Sequence, residues 1–487
     1  MSSRTIAGPA RGWEYVIGLE VHTELRTATK LFCGCPNAFG EEPNTSICPV
    51  CLGLPGSLPV MNAQAVDFAI RVGLALNATI QRSQFHRKNY FYPDMPKDFQ
   101  ISQYDVPINA NGHLELPSGA VIGIERAHLE EDTGKLVHRG GGGRIESAEY
   151  SLIDYNRSGV PLLEIVSAPD IRDPEEAKEY VAELRSILVA VGASDGRMEE
   201  GSLRVDANVS VRPVGETQMR TRVEIKNLNS LRSLTRALEF EGRRQVQLYE
   251  DGEAMLQQTR FWDEARAVTG ALRLKEEAND YRYFPEPDLP PVAPDPLVIE
   301  ARRSELPEFL STRRAQLADV LPELSRDLRE TVITDECWPY LRAALDANIT
   351  PHRAVARCAN ELVALLDEIG ALSPSRFVEV LALEDEGKLG ASQVKVLLRE
   401  ACLDPLAIPE LVAKLGFTAS DADAVKAMVA EVVASCTQEW SRYLAGDEKV
   451  AGFLLGQVMR RYGRQISGSD ARQALTRLAE EARAESS

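Results

Sequence analysis

Three residues able to bind a cation or carry a proton alternate along one segment near the N-terminus. Within residues 15–25, Glu20, His22 and Glu24 occupy every second position, and aliphatic residues fill most positions between them. This alternation is typical of a half-buried β-strand, on which next-but-one side chains share a face and lie roughly 6.6 Å apart. The segment predicts either a shared cation or phosphate site or an ordinary strand whose outer face meets water.

The same alternation recurs in four other segments, which favours a functional face over a merely solvated one. These segments span residues 152–156, 162–166, 203–212 and 222–226. Their polar positions are Asp154, Asn156, Glu164, Arg204, Asp206, Asn208, Ser210, Arg212, Arg222, Glu224 and Lys226. A solvated face would carry more Thr, Ser and Lys. We predict a β-sheet with one apolar face and one face rich in carboxylates, amides and arginines.

Four of the eight cysteines form two close pairs, Cys33 with Cys35 and Cys48 with Cys51. Turn-forming glycine and proline residues accompany both pairs, and this C-x-C and C-x-x-C spacing suits tetrahedral Zn²⁺. We predict a zinc knuckle over residues 33–51. Its role is structural, because four thiolates fill the coordination sphere and leave no position for a substrate. The alternative is four reduced thiols without a metal.

Length, composition and charge restrict the class of protein. The chain has 487 residues, 44% of them hydrophobic, which is enough for two to four domains. No apolar run approaches the ~20 residues of a membrane span, and the N-terminus lacks a basic-then-apolar signal, so we expect a cytoplasmic protein with no membrane partner. The net charge of −18 disfavours nonspecific nucleic-acid binding by the whole chain, although residues 81–90 could form a local basic surface.

Proline-rich residues 284–296 mark the clearest boundary in the chain. Proline lacks the amide proton that helices and central strands need, so this segment predicts a stiff, extended connector. Before it lie the predicted strands and two predicted helices, at 173–191 and 230–249. After it the sequence is helical almost throughout. The clearest amphipathic spacing is at 308–328, 353–369 and 421–435.

These features predict an α+β fold class, in which a sheet-based domain precedes all-α domains. We expect domains at 1–295, 296–408 and 409–487, the last division resting on a weaker proline break at 404–409. The glycine run at 140–143 predicts a mobile loop.

Neither common phosphate-binding loop is present in the sequence. There is no G-x-x-x-x-G-K-[ST] motif and no strand-to-helix G-x-G-x-x-G motif, so any nucleotide would have to be held by cations that bridge carboxylates and phosphates. Residues 128–135 supply His128, three consecutive acids and Lys135. This run is a candidate for such a role or an ordinary solvated turn.

Nine blocks of sequence resemble the B subunits of the aspartyl/glutamyl-tRNA(Asn/Gln) amidotransferases. They are GLEVH at 18–22, RKNYFYPD at 87–94, QISQ at 100–103, HLEED at 128–132, DYNR at 154–157, PLLEIV at 161–166, EIKNLNS at 224–230, DYRYFPEPD at 280–288 and GFLLGQVM at 452–459. The blocks occur in order from about residue 15 to the last predicted helices. Nine matches together are specific, whereas any one alone would be weak.

The resemblance implies a fold and an activity. The N-terminal part would be a catalytic cradle domain, similar in fold to glutamine synthetase and guanido kinases, whose antiparallel sheet binds Mg²⁺ and ATP on its polar face. A helical domain and a tail domain that binds tRNA would follow. The enzyme would be an ATP-dependent carbon–nitrogen ligase with glutamine as amido donor. It would phosphorylate the side-chain carboxylate of misacylated Glu-tRNA(Gln) or Asp-tRNA(Asn), and ammonia would then displace the phosphate.

The resemblance also implies partners and residue roles. A glutaminase, the A subunit of such enzymes, would supply ammonia, and a small C subunit would complete a heterotrimer. Carried over by motif, the residues of the magnesium and ammonia-attack region are Glu20, His22, Glu131 and Glu164, with Glu130 and His128 adjacent. The implied nucleotide or substrate contacts are Arg87, Lys88, Asp154, Asn156, Arg204, Asp206 and Lys226. Three arginines near the C-terminus could touch tRNA phosphates or form an ordinary solvated helix end, namely Arg460, Arg461 and Arg464.

Two other classes of function remain open from the sequence. The chain could be a non-catalytic tRNA-binding scaffold of the same complex, with the carboxylate face only structural. It could instead be a free-standing ATP-dependent ligase that acts on a small amino acid. The sequence contains no serine-rich amidase signature and no Cys-His arrangement with matching motifs, so glutamine hydrolysis would have to come from another protein chain. That requirement favours a multisubunit enzyme.

Overall fold

The computed structural model describes residues 5–7, 12–140, 148–274, 281–417, 422–463, 466 and 468–485. The chain divides into two compact units, Met1–Ser311 and Thr312–Ser487. The first unit contains the β-sheet and the second is helical, which confirms the α+β class. The predicted mobile loop at 140–143 lies outside the described residues except for Gly140.

The described residues form fifteen strands. Their bounds are β1 Thr5–Ala7, β2 Gly12–Glu24, β3 Thr79–Ile80, β4 Gln84–Asn89, β5 Phe99–Val106, β6 Asn109–Glu115, β7 Val121–Glu131, β8 Lys135–Arg139, β9 Tyr150–Asp154, β10 Pro161–Ser167, β11 Leu203–Pro213, β12 Val223–Leu228, β13 Gln258–Asp263, β14 Val268–Leu274 and β15 Phe284–Pro285.

Thirteen of these strands form one sheet in the order β14-β13-β12-β11-β2-β10-β7-β5-β4-β15, with β1 beside β2, β6 beside β7 and β3 beside β6. The sheet is mixed rather than purely antiparallel, because β12 and β13 pair in parallel. A 20-residue helix connects these two strands, and such a crossover allows parallel pairing where a tight hairpin would not. Strands β8 and β9 form a separate hairpin.

Among the described residues the α-helices are α1 Ala63–Ala75, α2 Pro174–Ala190, α3 Leu231–Glu250, α4 Pro296–Ser304, α5 Leu310–Val320, α6 Arg326–Val332, α7 Trp338–Asp346, α8 Pro351–Arg357, α9 Pro374–Asp385, α10 Ala391–Leu403, α11 Ile408–Lys414, α12 Ala422–Ser435, α13 Thr437–Leu444, α14 Ala451–Tyr462 and α15 Gly468–Glu485. In this part of the chain, no helix has both the length and the apolar content to cross a membrane.

The apolar residues of the central strand explain how the sheet is oriented. Ile17, Leu19 and Val21 of β2 are fully buried, and helices α2 and α3 lie in the same hydrophobic core. Both helices begin where the sequence predicts. Asp173 caps α2 by accepting a hydrogen bond from a backbone amide, and Ser230 caps α3 in the same way. The helices cover the apolar face, so the polar side chains of the central strands lie on the other face.

Three predicted elements differ from the structure. The predicted helix at 308–328 is two helices, because Pro322 lies in the break between α5 and α6. The predicted helix at 353–369 is a short α-helix that continues as a π-helix at Cys358–Leu362 and a 3-10 helix at Val363–Glu368. The predicted strand at 152–156 ends at Asp154 and belongs to the β8–β9 hairpin, not to the main sheet.

The proline-rich connector runs along the edge of the sheet. Residues 284–285 pair with β4, and Ser83 and Val292 exchange two backbone hydrogen bonds of 2.8 and 2.9 Å. Prolines are tolerated at sheet edges because an edge strand does not need every amide proton. In the second unit, α12, α14 and α15 share a separate hydrophobic core.

Candidate active site

Strand register brings polar side chains from distant parts of the sequence into one row. Glu164 of β10 lies opposite both His22 of β2 and His128 of β7, and His22 lies opposite Arg204 of β11. These four residues therefore form a line across four adjacent strands. A second row contains Glu20 opposite Asp206. The alternation along each strand places these rows on the polar face.

The centre of the row is a cluster of two histidines and two carboxylates. His22 Nε2 lies 3.4 Å from Glu164 Oε2, and His128 Nε2 lies 3.8 Å from the same oxygen and 3.9 Å from Glu130 Oε2. One ligand atom from each of His22, Glu130 and Glu164 lies within 4.8 Å of the others, so this set could hold a metal ion. We call His22, His128, Glu130 and Glu164 the carboxylate cluster.

The electrostatics of the cluster favour a protonated His22 beside an ionised Glu164. Burial alone would lower the pKa of His22, but its contact with Glu164 and the nearby charges of Glu130 and Asp206 raise that pKa to about 9. Burial would raise the pKa of Glu164, yet the positive charges of His128 and His22 hold it below its usual range. The carboxylate of Glu164 is therefore ionised at neutral pH, as a cation ligand must be.

Glu20 lies one row along β2 from the cluster. Asn208 Nδ2 donates a 2.8 Å hydrogen bond to Glu20 Oε1. Burial, followed by the negative charges of Glu164 and Glu224, raises the pKa of Glu20. A cation bound nearby would stabilise the ionised form of Glu20, because it would offset the repulsion from Glu164 and Glu224.

Two cations flank the cluster on the β11–β12 side. Lys226 Nζ contacts Asp206 Oδ2 at 2.6 Å and Glu224 Oε1 at 2.9 Å. Arg204 Nη2 contacts the buried carboxylate of Asp132 at 2.5 Å. Burial alone would lower the pKa of both Lys226 and Arg204, but these acidic partners raise it, so both side chains are charged.

A cavity of about 430 Å³ joins the acidic and basic parts of this face. Its lining includes His22, Glu130, Arg204, Asp206 and Lys226. The basic side chains of the cavity can therefore contact a negatively charged group of a ligand. Its acidic side chains can bind a cation that accompanies the ligand. This is the arrangement that a phosphate-bearing substrate requires.

The four predicted cysteine ligands converge. Cys51 Sγ lies 3.5 Å from Cys33 Sγ and 3.7 Å from both Cys35 Sγ and Cys48 Sγ. Tetrahedral zinc with ~2.3 Å Zn–S bonds would place its sulfur ligands ~3.8 Å apart, so the four thiols fit a metal. The contact from Cys33 and the charge of Lys30 hold the pKa of Cys51 well below its usual range despite burial.

Comparison with known proteins identifies the family. Residues 15–300 match the family model described as the GatB/GatE catalytic domain, and residues 340–478 match the model described as the GatB domain. The chain is 46% identical to the B subunit of the aspartyl/glutamyl-tRNA(Asn/Gln) amidotransferase of Carboxydothermus hydrogenoformans, over 92% of this chain and 95% of that protein. It is 47% identical to the protein of the same name from Nocardia farcinica, with 92% of each chain covered. The chain belongs to the GatB family of amidotransferase B subunits.

Within this GatB-family chain, the structure separates Glu131 from the other predicted catalytic residues. Lys97 Nζ contacts both oxygens of Glu131, at 2.5 and 2.6 Å, and the backbone amide of Ile101 donates to it at 2.9 Å. The neighbouring Glu130, and not Glu131, belongs to the carboxylate cluster. Alternation along β7 explains this difference, because Glu130 shares the polar face with His128, whereas Glu131 lies on the same side of the strand as the core-facing Leu129.

Two predicted nucleotide contacts lie near the sheet edge. The guanidinium of Arg87 makes a bidentate pair with the buried Glu286, with contacts of 2.6 and 2.8 Å, and so fastens the proline-rich connector to β4. Lys88 Nζ lies 4.8 Å from the ring centroid of Tyr281. Burial and the charge of Glu164 would raise the pKa of Glu130, but Lys88 is one of the cations that lower it. Lys88 therefore acts electrostatically on the cluster, whereas Arg87 is paired with Glu286 at the sheet edge.

Asp154 and Asn156 support the loop that carries the cysteines. Asp154 Oδ1 accepts a 3.1 Å hydrogen bond from the amide of Asn44, and Asn156 Oδ1 accepts a 2.8 Å bond from the amide of Ser46. Both residues also line a second cavity of about 650 Å³ that reaches Arg204. The structure thus brings together Glu20, His22, Glu164, Arg204, Asp206 and Lys226, but not Arg87, Asp154 or Asn156.

Of the residues on this face, Arg126 is the one that the sequence did not indicate. Glu224 was predicted on the polar face and Asp132 in the acidic run at 128–135, but neither was given a role. Arg126 was hidden by a β-bulge. Val166 pairs with Arg126 but Ser167 pairs with Ile124, so Glu125 is an extra residue that breaks the alternation along β7.

Proposed function

We propose that this chain is the B subunit of a tRNA-dependent amidotransferase and carries its phosphorylation and amidation site. The reaction is ATP-dependent carbon–nitrogen ligation. The side-chain carboxylate of misacylated Glu-tRNA(Gln) or Asp-tRNA(Asn) attacks the γ-phosphate of ATP, and ADP leaves. Ammonia then attacks the acyl phosphate, forms the amide and releases phosphate. The observation that carries the proposal is the cavity in which His22 and Glu130 of the carboxylate cluster lie beside Arg204 and Lys226.

The residue types match the chemistry of carboxylate activation. A carboxylate is a poor electrophile because attack would have to expel oxide, and phosphorylation turns that oxygen into a leaving group. The attacking carboxylate and the γ-phosphate are both anions, so positive charge must offset their repulsion. Arg204 and Lys226 are placed to bind phosphate oxygens, and Asp206 holds Lys226 in position.

The carboxylate cluster fits a hard divalent cation. Glu130 and Glu164 would hold Mg²⁺, with Glu20 close by, since carboxylate oxygens are the ligands that Mg²⁺ prefers. When bound, Mg²⁺ supplies the positive charge that neutralises phosphate oxygens. Imidazole suits Mg²⁺ poorly, so we assign His22 to holding a proton at Nε2 beside Glu164, or to binding through water.

The remaining assignments follow the same proposal. Zn²⁺ would be held by the four cysteine thiolates as a structural ion. Residues 1–295 would form a cradle domain similar to glutamine synthetase and guanido kinases, residues 296–408 a helical domain, and residues 409–487 a tail that binds tRNA. A glutaminase and a small third protein, the A and C subunits of the enzyme, would complete a cytoplasmic heterotrimer in which the glutaminase supplies ammonia.

Amidation by variants of the assembled complex tests the proposal. The chain is co-expressed with its partner subunits and supplied with ATP, Mg²⁺, ammonium and misacylated Glu-tRNA, and Gln-tRNA is measured. Ammonium replaces the glutaminase, so the assay reports only on the proposed site. We expect Glu164→Ala to lower the amidation rate by about 100-fold or more, because it removes a charged group from the site of phosphoryl transfer.

A matched control separates this effect from general damage to the sheet. Glu115→Ala removes an exposed acid at the end of β6, outside the polar rows, and should leave amidation unchanged. Near-normal activity of Glu164→Ala would reject the assignment. In that case the chain would be a tRNA-binding scaffold, and the chemistry would lie elsewhere in the complex.

A further inference from the structure

Arg126 is a cation at the edge of the carboxylate cluster that does not belong to the residues assigned so far. Its Nη2 lies 3.6 Å from Glu164 Oε1, whereas His22 approaches the other oxygen of that carboxylate. The β-bulge at Glu125 turns Arg126 onto the polar face. Bulges commonly re-aim a side chain next to an active site.

The guanidinium of Arg126 forms no hydrogen bond with any residue that the structure describes. Its Nε is buried and has no partner there. Its two ion pairs, to Glu164 at 3.6 Å and to Glu125 at 3.7 Å, are longer than hydrogen bonds. A guanidinium has five N–H donors, and a largely buried one without acceptors is costly. The guanidinium therefore has donors available for an acceptor that comes from a ligand.

Four other cations of this region contrast with Arg126, because each has a short contact with an acid. Arg204 contacts Asp132 at 2.5 Å, and Lys226 contacts Asp206 at 2.6 Å. The contacts of Lys97 and Arg87 with their carboxylates are equally short. Among these side chains, Arg126 is the one whose hydrogen-bonding capacity the described protein does not use.

An aromatic stack holds the guanidinium in place without using its donors. Arg126 Cζ lies 4.5 Å from the ring centroid of Tyr104. The ring of Tyr104 in turn stacks on that of Tyr283, with centroids 5.2 Å apart and an interplanar angle of 18°. Stacking contacts the flat face of a guanidinium and leaves its N–H edge available for a planar, two-point contact.

We infer that Arg126 binds an oxyanion of the reacting substrate, with Tyr104 as the platform that orients it. This inference rests on the proposed function. Two groups in the reaction share the required chemistry, namely a phosphate of ATP and the side-chain carboxylate of the misattached amino acid. Both accept two parallel hydrogen bonds from an arginine fork.

Two measurements on the assembled complex distinguish the two sources. The first is the Kd of a non-hydrolysable ATP analogue with Mg²⁺, and the second is the KM for misacylated tRNA in the ammonium-dependent assay. Arg126→Met should weaken one of them by about tenfold or more, because it removes a charge-assisted hydrogen bond to a buried partner. A raised Kd for the analogue assigns the contact to phosphate. An unchanged Kd with a raised KM assigns it to the carboxylate.

Conservative variants show whether geometry matters. Arg126→Lys keeps the charge but loses the fork, so it should recover only part of the affinity. Tyr104→Ala should reproduce the defect of Arg126→Met, whereas Tyr104→Phe keeps the ring and should bind like the wild type. The matched control is Arg212→Lys on β11, whose partner Glu14 lies 2.6 Å away at the far end of the polar face.

The outcomes keep this inference separate from the proposed function. If the wild-type complex fails to amidate tRNA, the proposed function fails. If the wild type is active and folded Arg126→Met matches it in both Kd and KM, the inference about Arg126 is overturned and the proposed function stands. Thermal unfolding of each variant shows whether it is folded.

Discussion

Neighbouring acids in β7 have different environments although the sequence presents them as one run. Glu130 belongs to the carboxylate cluster. Glu131 is instead paired with Lys97, and both side chains are buried, with 3% of Glu131 and 7% of Lys97 exposed. A buried ion pair of this kind is stable only while both partners are present. The pair therefore fixes the end of β7 and helps to set which of the two acids faces the cavity.

Removing one partner of this pair should be more damaging than removing both charges. We expect Lys97→Met to lower the free energy of unfolding by about 3–5 kcal/mol, because the carboxylate of Glu131 is left buried without a counter-charge. Urea denaturation measures the loss. The double variant Lys97→Met/Glu131→Gln should recover most of it, since the neutral amide can still accept from the amide of Ile101. Equal stability of the single variant and the wild type would contradict this account.

The long loop between β2 and α1 contains no named helix or strand, and side-chain contacts hold it in one conformation. Residues 33–51 carry the four converging thiols, and the fully buried Lys30 contacts both Cys51 Sγ at 3.6 Å and the carbonyl of Tyr155 at 3.2 Å. Asp154 and Asn156 hold the same loop from the other side. The thiol set, the lysine and the turn after β9 thus replace the hydrogen-bond ladder of a regular element.

Under the proposed zinc assignment, substitution of one thiol should remove the metal and loosen the loop. We expect Cys51→Ser to reduce zinc content from about one ion per chain to near zero and to lower the unfolding midpoint, since structural zinc contributes directly to folding. Elemental analysis of the purified complex measures the metal. Cys436→Ser is the control, because Cys436 lies far along the sequence in the helical unit and outside the four-thiol set. Undiminished zinc in Cys51→Ser would reject the site.

The charge of the whole molecule constrains the proposed binding of tRNA. A net charge of −18 opposes broad electrostatic attraction to a polyanion, so such binding would have to rely on local basic surface. Arg460 and Arg461 lie in the last turn of α14, although Arg461 is also paired with Glu431. Arg464, the third arginine of the predicted patch, lies outside the described residues.

The salt dependence of tRNA binding tests this patch. We expect Arg460→Glu/Arg461→Glu to weaken binding and to reduce the slope of log K against log salt by about 0.7–0.9 for each phosphate that the protein no longer neutralises. Filter binding over a range of salt concentrations gives the slope. Arg399→Glu changes the net charge in the same direction at an exposed position of α10 and should alter the slope little. Identical slopes for the two variants would show that the patch makes no phosphate contact.

The amino-acid sequence by itself determined the class of fold, the positions of the central strands and the four-cysteine set, and it placed His22 and Glu164 on the polar face. The strands and these two residues follow from alternation with a period of two, which reports directly on which side chains share a face. The family resemblance added His128 and Glu130 beside them and supplied the predicted residue roles. Predicted helices α2 and α3 were correct for a similar reason, since their capping residues and apolar spacing are local signals.

Tertiary structure alone decided which polar residues meet. Strand order places His22 between Glu164 and Arg204, and no local pattern reveals that three segments so far apart in sequence are neighbours. A single extra residue at Glu125 decides that Arg126 and Glu130 face the cluster, because one bulge exchanges the two faces of a strand. Local periodicity is read along the chain, whereas register, bulges and pairing are settled between chain segments by packing and hydrogen bonding.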